Sequence, residues 1–184
     1  MNAAMSAIEA HRILDNADLL FTAEQVTAAL RRVASELNIT YSGRYPLVLS
    51  VMGGAVVFTG QILPLLAFPL EFDIIQVSRY GAHTSGQALQ WRVEPRAKIE
   101  GRDVLVLDDI LDEGVTLAAI RDLVLSRHPA SCRFAVFADK EIGRPKPIHA
   151  DFTGLTLPDR FVFGFGMDVK EAWRNLPAIY AVKD

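Results

Sequence analysis

The densest run of chemically capable side chains is VLVLDDILDEGVTL, residues 104–117, where an apolar stretch opens onto Asp108 and Asp109, then Asp112 and Glu113, then Gly114, Val115 and Thr116. Two adjacent carboxylates at the end of a strand can hold sugar hydroxyls, directly or through a Mg²⁺ ion that keeps most of its waters. The residues that follow offer a different chemistry. At a helix start, the amides of residues 112–116 point outward without intrahelical partners and, with the helix dipole and the Thr116 hydroxyl, make a cradle for a phosphate dianion. Gly114 permits close backbone approach. Asp112 then lies between the sugar and a base. Acidic loops after strands more often cap a helix and stay solvated, but here strand, acid pair, tight loop and helix start follow in a functional order. Other phosphate loops are excluded: there is no G-x-x-x-x-G-K-[ST], and Gly164-Phe165-Gly166 fails G-x-G-x-x-G because Val169 occupies the last position. A serine nucleophile elbow is also missing.

The elements that must position these groups follow from periodicity. Asp103–Leu107 is a short Val/Leu strand, and a helix begins near Thr116 with Leu117, Ile120, Val124 and Leu125 at helical spacing. LVLSVM at 47–52 has the length and unbroken apolar character of a buried strand, and Gly53 and Gly54 follow it. Further strands are expected at 71–80, 88–94, 133–140, 161–168 and 178–182. Residues 4–20 read as helical, and Thr22 with Gln25 forms a capping box ahead of Val26, Ala29, Leu30, Val33 and Leu37. The polar segment RYGAHTSGQA, 79–88, is a candidate lid. Strands alternating with helices predict a mostly parallel sheet covered on both faces, with ligands bound outside the carboxyl ends of the strands.

Bulk properties narrow the partners. At 184 residues the chain suits one domain with one continuous core. A net charge of −3 offers no global attraction to nucleic acid or to an anionic membrane, so phosphate binding has to be local. The single cysteine, Cys132, allows no intrachain disulfide, and MNAAMSAIEAHR lacks the pattern of a secretory signal; both fit a reducing cytoplasm. Gly53, Gly54, Gln61, Pro64 and Pro69 break the apolar stretch 47–72 before it could span a bilayer.

The 104–120 segment resembles the phosphoribosyl diphosphate binding motif of type I phosphoribosyltransferases, and residues 45–183 are similar, in order, to the hypoxanthine-guanine phosphoribosyltransferase family. The resemblance implies an α/β fold: a parallel-sheet core flanked by helices, with a small hood over the base site formed by N-terminal and C-terminal segments, all in a single domain spanning 1–184. It implies pentosyl transfer from 5-phosphoribosyl 1-diphosphate to hypoxanthine or guanine, in a homodimer or homotetramer; the apolar stretch 56–70 reads equally well as part of an interface and as a buried helix. Asp108 and Asp109 would bind the ribose hydroxyls, and the backbone of Asp112, Glu113, Gly114, Val115 and Thr116 the 5-phosphate. Asp112 would be the acid or base near purine N7. Lys140, in VFADK, would bond the C6 oxygen; Phe161 would stack on the base, and the Val162 backbone would read its edge. Asp168 would lie near a second Mg²⁺ and the purine 2-position, completing a metal set of Asp108, Asp109 and Asp168. Gly53, Gly54, Arg79, Tyr80 and Arg174 would hold pyrophosphate. Taken singly, a lysine after a strand is usually solvated, a Phe in FVF is usually core, and an Arg near a terminus is usually a surface charge; their joint order and spacing argue otherwise.

Three residues depart from the family pattern. Met52 stands where a lysine is usual, before the diglycine, and Arg79 stands where a serine usually precedes the tyrosine, which makes it the candidate replacement cation. The family's non-proline cis peptide would here fall at Val51–Met52. Glu113 occupies the position of a threonine that donates to the 5-phosphate, so its carboxylate must turn toward solvent or a cation. Two other readings remain open: a non-catalytic sensor of nucleotides, and a transferase preferring xanthine.

Overall fold

The computed structural model describes residues 5–79 and 89–183. Its centre is a six-stranded sheet in the order β4-β3-β2-β5-β6-β7, built from β2 (Leu47–Met52), β3 (Glu71–Arg79), β4 (Leu89–Val93), β5 (Asp103–Leu111), β6 (Ser131–Glu141) and β7 (Phe152–Pro158). All neighbours run parallel except β4, which returns antiparallel along β3.

The apolar strands are continuous because both faces are covered. Leu47, Leu49 and Val51 of β2, Val104 and Val106 of β5, and Phe134 and Val136 of β6 pack with Leu117, Ile120 and Val124 of α4 (Val115–Leu125). The alternate residues Val48, Leu105, Leu107, Ala135 and Phe137 pack on the opposite face with α2 (Ala23–Thr40) and with Phe58 and Ile62 of α3 (Val56–Ile62). Ser50, the one polar residue within β2, is buried on that second face, where its hydroxyl meets that of Thr59 at 2.7 Å. The capping box of α2 forms as the sequence predicts, with Thr22 Oγ1 accepting from Gln25 N and Gln25 Oε1 accepting from Thr22 N.

A second, three-stranded antiparallel sheet has the order β1-β9-β8, made from β1 (Ala17–Phe21), β9 (Ile179–Val182) and β8 (Val162–Phe163). It sits over one end of the larger sheet. Val162, Phe165, Met167, Ile179 and Ala181 belong to the same core as α2 and α3, and the rings of Phe165 and Phe137 lie 4.2 Å apart.

Several expected elements are corrected. The helix expected over 4–20 is α1 (Ala7–Asp15) followed by β1: Asn16 caps the helix, and Leu19, Leu20 and Phe21 lie on a strand paired to β9. The strand expected over 161–168 is only β8, because the chain reverses at once through the Gly164–Met167 bridge. β5 runs four residues beyond Leu107, since its ladder with β6 continues to the Leu111–Asp139 rung. β7 had no counterpart in the sequence reading. The cis peptide is Met52–Gly53, one residue later than expected, because Met52 still belongs to β2 in register with Gln76.

Candidate functional site

β5 carries Asp108 and Asp109 to the carboxyl end of the sheet, where a pocket of about 240 Å³ is lined by Val51, Met52, Gly53 and Gly54, by residues 108–114, and by Thr116 and Leu117. This is the topological position at which parallel sheets bind ligands. Asp108 is 7% exposed. Its Oδ1 accepts from Asp109 N, and Asp109 Oδ1 accepts from Ile110 N, both at 2.9 Å.

Burial, followed by the charge of Asp109, holds the Asp108 carboxyl well above the usual carboxylate range, and burial likewise raises Asp109. Arg174 pulls Asp109 the other way. A buried carboxylate pair of this kind gains from a hard cation or from hydroxyl donors, and is costly without them. The diglycine is fitted to the pair: a Cβ on Gly54 would lie 1.7 Å from Asp109 Oδ2 and 2.4 Å from its Cγ. Only a residue without a side chain lets the two segments approach this closely.

The phosphate cradle is the start of α4. Gly114, at φ +79°, is its N-cap, and no side chain caps it. The intrahelical ladder of α4 starts with Ala118 N donating to Gly114 O at 2.9 Å, so the positive end of the helix dipole lies at the pocket, where it favours an anion. Val115 and Thr116 lie in the first turn of that helix. The Glu113 carboxylate pairs with the Arg144 guanidinium at 2.5 Å, so a cation from the segment after β6 offsets the charge that would oppose a phosphate.

Asp112 and Lys140 are 28 residues apart in the chain, but Asp112 Oδ2 accepts from Lys140 Nζ at 2.8 Å. The parallel register explains this. Leu111 and Asp139 form the last rung between β5 and β6, so Asp112, just past the end of β5, comes beside Lys140, which is still in β6 and paired to Leu157 of β7. Lys140 is buried, 9% exposed, and among the described residues its ammonium makes one hydrogen bond. Two of its three donors thus remain for a ligand.

The remaining candidates lie on the smaller sheet and its turn. Arg174 donates to Gly166 O at 2.8 Å and pairs with Asp168 at 2.6 Å, while Asp168 Oδ2 accepts from Glu171 N. Gly166 packs on the diglycine, since a Cβ there would lie 2.2 Å from Gly54 O. Arg174 and Asp168 therefore adjoin the pocket from the side of the smaller sheet. Asp108, Asp109 and Asp168 do not converge: among the described residues no three Asp, Glu, His or Cys side chains gather as a metal cluster. Phe161 is 58% exposed, whereas Val162 is buried in the sheet. Arg79 ends β3, and Tyr80 and most of the lid segment lie outside the described residues.

Sequence reasoning missed Arg144 and Lys146, both in the Pro-containing segment after β6. Lys146 Nζ donates to Leu111 O, Asp139 Oδ1 and Lys140 O. Nothing in R-P-K-P spacing separates these cations from solvated ones.

The phosphoribosyl transferase domain family matches residues 16–171. The chain is 34% identical over 167 residues to the hypoxanthine-guanine phosphoribosyltransferase of Streptococcus pneumoniae, covering 90% of this chain and 93% of that one. It is 38% identical over 166 residues to the bifunctional protein TilS/HprT of Listeria monocytogenes, covering 90% of this chain but only 26% of that longer protein. The crystal structure of a hypoxanthine phosphoribosyltransferase from Staphylococcus aureus superposes with a TM-score of 0.87 at 29% identity, over 100% of this chain and 96% of that one. Among the described residues no helix is long and apolar enough to cross a membrane.

Proposed function

This chain belongs to the hypoxanthine-guanine phosphoribosyltransferase family of type I phosphoribosyltransferases, and from that premise we propose that it converts hypoxanthine or guanine and 5-phosphoribosyl 1-diphosphate to the purine 5′-mononucleotide and diphosphate. The observation that carries the reading is the Lys140–Asp112 pair at 2.8 Å, set beside the start of α4, which no side chain caps. A 6-oxopurine presents its C6 oxygen and N7 side by side on one edge. A buried ammonium with unused donors and an adjacent carboxylate complement that edge: Lys140 donates to the oxygen, and Asp112 takes or shares the N7 proton. Adenine, with a donor at C6, would confront Lys140 with a donor of its own.

In this reading the amides of Asp112 to Thr116 hold the 5-phosphate, and Asp108 and Asp109 orient the ribose hydroxyls. Gly53, Gly54, Arg79, Tyr80 and Arg174 hold the diphosphate, with Asp168 keeping Arg174 in place. Phe161, largely exposed and thus able to meet a ligand face, stacks on the base, and the Val162 backbone reads its edge. The buried pair Asp108–Asp109 fits one Mg²⁺ with substrate oxygens completing its shell, as a two-carboxylate site does. Bound Mg²⁺ supplies charge neutralisation on the diphosphate leaving group. The C1–O bond then breaks toward an oxocarbenium-like transition state while the purine nitrogen attacks, and exclusion of water by the 79–90 segment protects that cation from hydrolysis. A cytoplasmic homodimer or homotetramer is the form in which we place it.

One experiment tests the reading. The protein is incubated with Mg²⁺ and the diphosphate donor, and with hypoxanthine, guanine, xanthine or adenine separately, and the nucleotide products are separated by chromatography. Nucleotide from hypoxanthine or guanine is expected. Nucleotide binding without turnover of any base would instead identify a sensor, and turnover of xanthine alone would move the specificity.

A further inference from the structure

Lys146 makes more buried polar contacts than its place in a loop would suggest. Its side chain is 9% exposed. An ammonium has three donors, and all three are used: to Leu111 O at 2.8 Å, Asp139 Oδ1 at 2.6 Å and Lys140 O at 2.5 Å. The acceptors come from both strand ends. Leu111 immediately precedes Asp112, and Lys140 is the residue paired with it. The ladder between β5 and β6 stops at the Leu111–Asp139 rung, so Lys146 takes over the joining of the two chains where backbone pairing ends.

The segment bearing Lys146 is itself anchored. Arg121 of α4 donates to Pro147 O at 3.0 Å, and Pro147 and Ile148 lie 3.3 and 3.2 Å from the position a Cβ on Gly114 would take. Residues 144–148 thus form a strap under the phosphate cradle, and Lys146 connects that strap to the Asp112–Lys140 pair. The contrast between the two lysines matters. Lys140 keeps donors in reserve for a ligand, whereas Lys146 has none left and can act only on protein atoms.

Resting on the reading above, we propose that Lys146 is a positioning residue for base selection: it fixes the backbone at Leu111 and Lys140 so that the Lys140 ammonium meets an acceptor at purine C6. A lysine head on a flexible stem discriminates acceptor from donor only if its base is held still. Lys146 supplies that restraint through the Lys140 carbonyl itself, together with the carbonyl before Asp112.

The test is Lys146→Met, which keeps the stem's volume and removes the donors. KM for hypoxanthine is expected to rise on the order of tenfold to a hundredfold, and the ratio of kcat/KM for hypoxanthine over adenine to fall by a similar factor. KM for the diphosphate donor should change less, by about threefold, because Lys146 reaches the phosphate cradle only through the Leu111–Asp112 peptide and bonds none of the amides that open α4. A purely structural lysine would move both KM values and kcat together and leave the base ratio alone; that result overturns the proposal. If K146M does not fold, Asp139→Asn, which leaves Lys146 on its two carbonyls without a counter-charge, is read by the same ratio, and an unmoved ratio there counts equally against it. Failure of the wild-type protein to use any 6-oxopurine removes the functional reading and this inference with it. Wild-type transfer with an unmoved ratio in the variant removes the role of Lys146 alone.

Discussion

The Asp112 carboxylate that is to handle the N7 proton pairs with Lys140, a cationic partner that a bound purine must share. Replacing Asp112 by Asn keeps the shape and one acceptor but removes the ability to take a proton. We expect D112N to lower kcat by about 10²–10⁴, the usual weight of a general acid or base, while IMP binding weakens less than roughly tenfold. Steady-state kinetics beside calorimetric titration with the nucleotide separates the two effects, and an undiminished kcat would refute the assignment. The stability cost should be small. The Asp112 side chain is 45% exposed, and pairs of that kind contribute about 1 kcal/mol or less. Glu113 shows a different adjustment at the same scale, since a residue poorly suited to a phosphate loop becomes tolerable once Arg144 lies against it.

At the scale of elements, the junction of β5 and α4 decides what the pocket can hold, and Gly114 is the hinge of that junction. Its φ of +79° and the three side-chain atoms 3.2–3.3 Å from a would-be Cβ leave little room for any other residue. Gly114→Ala is expected to cost about 1–2 kcal/mol in backbone strain alone and to raise KM for the diphosphate donor more than KM for the base. Thermal denaturation and the two KM values check this, and an unchanged donor KM would mean that the cradle lies elsewhere. The same junction shows what could be read in advance. The acidic pair, Gly114 and the amphipathic α4 were legible because each leaves a local mark in residue type or period. That β5 continues through Asp108 and Asp109 was not, since two carboxylates look like the end of a strand while the ladder with β6 holds them in it. Nor was the Asp112–Lys140 contact, because periodicity says which face a residue takes and nothing of the register between strands. β1 was absorbed into a helix since ADLLF extends the apolar pattern of α1, and β7 was overlooked because TGLTLP alternates weakly and follows a Pro-containing loop.

For the molecule as a whole, the two covered faces of the sheet each hold a weak acid that burial keeps protonated. Tyr41 lies in the core beneath α2, 1% exposed, and its hydroxyl has no hydrogen-bond partner among the described residues. Burial raises it above its ordinary 10.0. Cys132, at the start of β6 on the α4 face, is pushed from 9.0 up to about 12 by burial and by Asp151. Both groups hold their protons more tightly in the native chain than in the unfolded one. In the window above each ordinary value the native state therefore binds more protons, so stability is flat below about pH 9 and falls as pH rises from there. Melting temperature should follow that course between pH 7 and 11. Tyr41→Phe removes both an unsatisfied buried hydroxyl and one of the titrating groups. It should raise Tm at pH 7 by about 2–6 °C, corresponding to the ~1–2 kcal/mol of an unpaired polar group, and should flatten the alkaline decline. Cys132→Ala should flatten the same decline without the gain at neutral pH, because a buried thiol behaves there as a small apolar group. An alkaline decline equally steep in the double variant would show that neither proton is responsible.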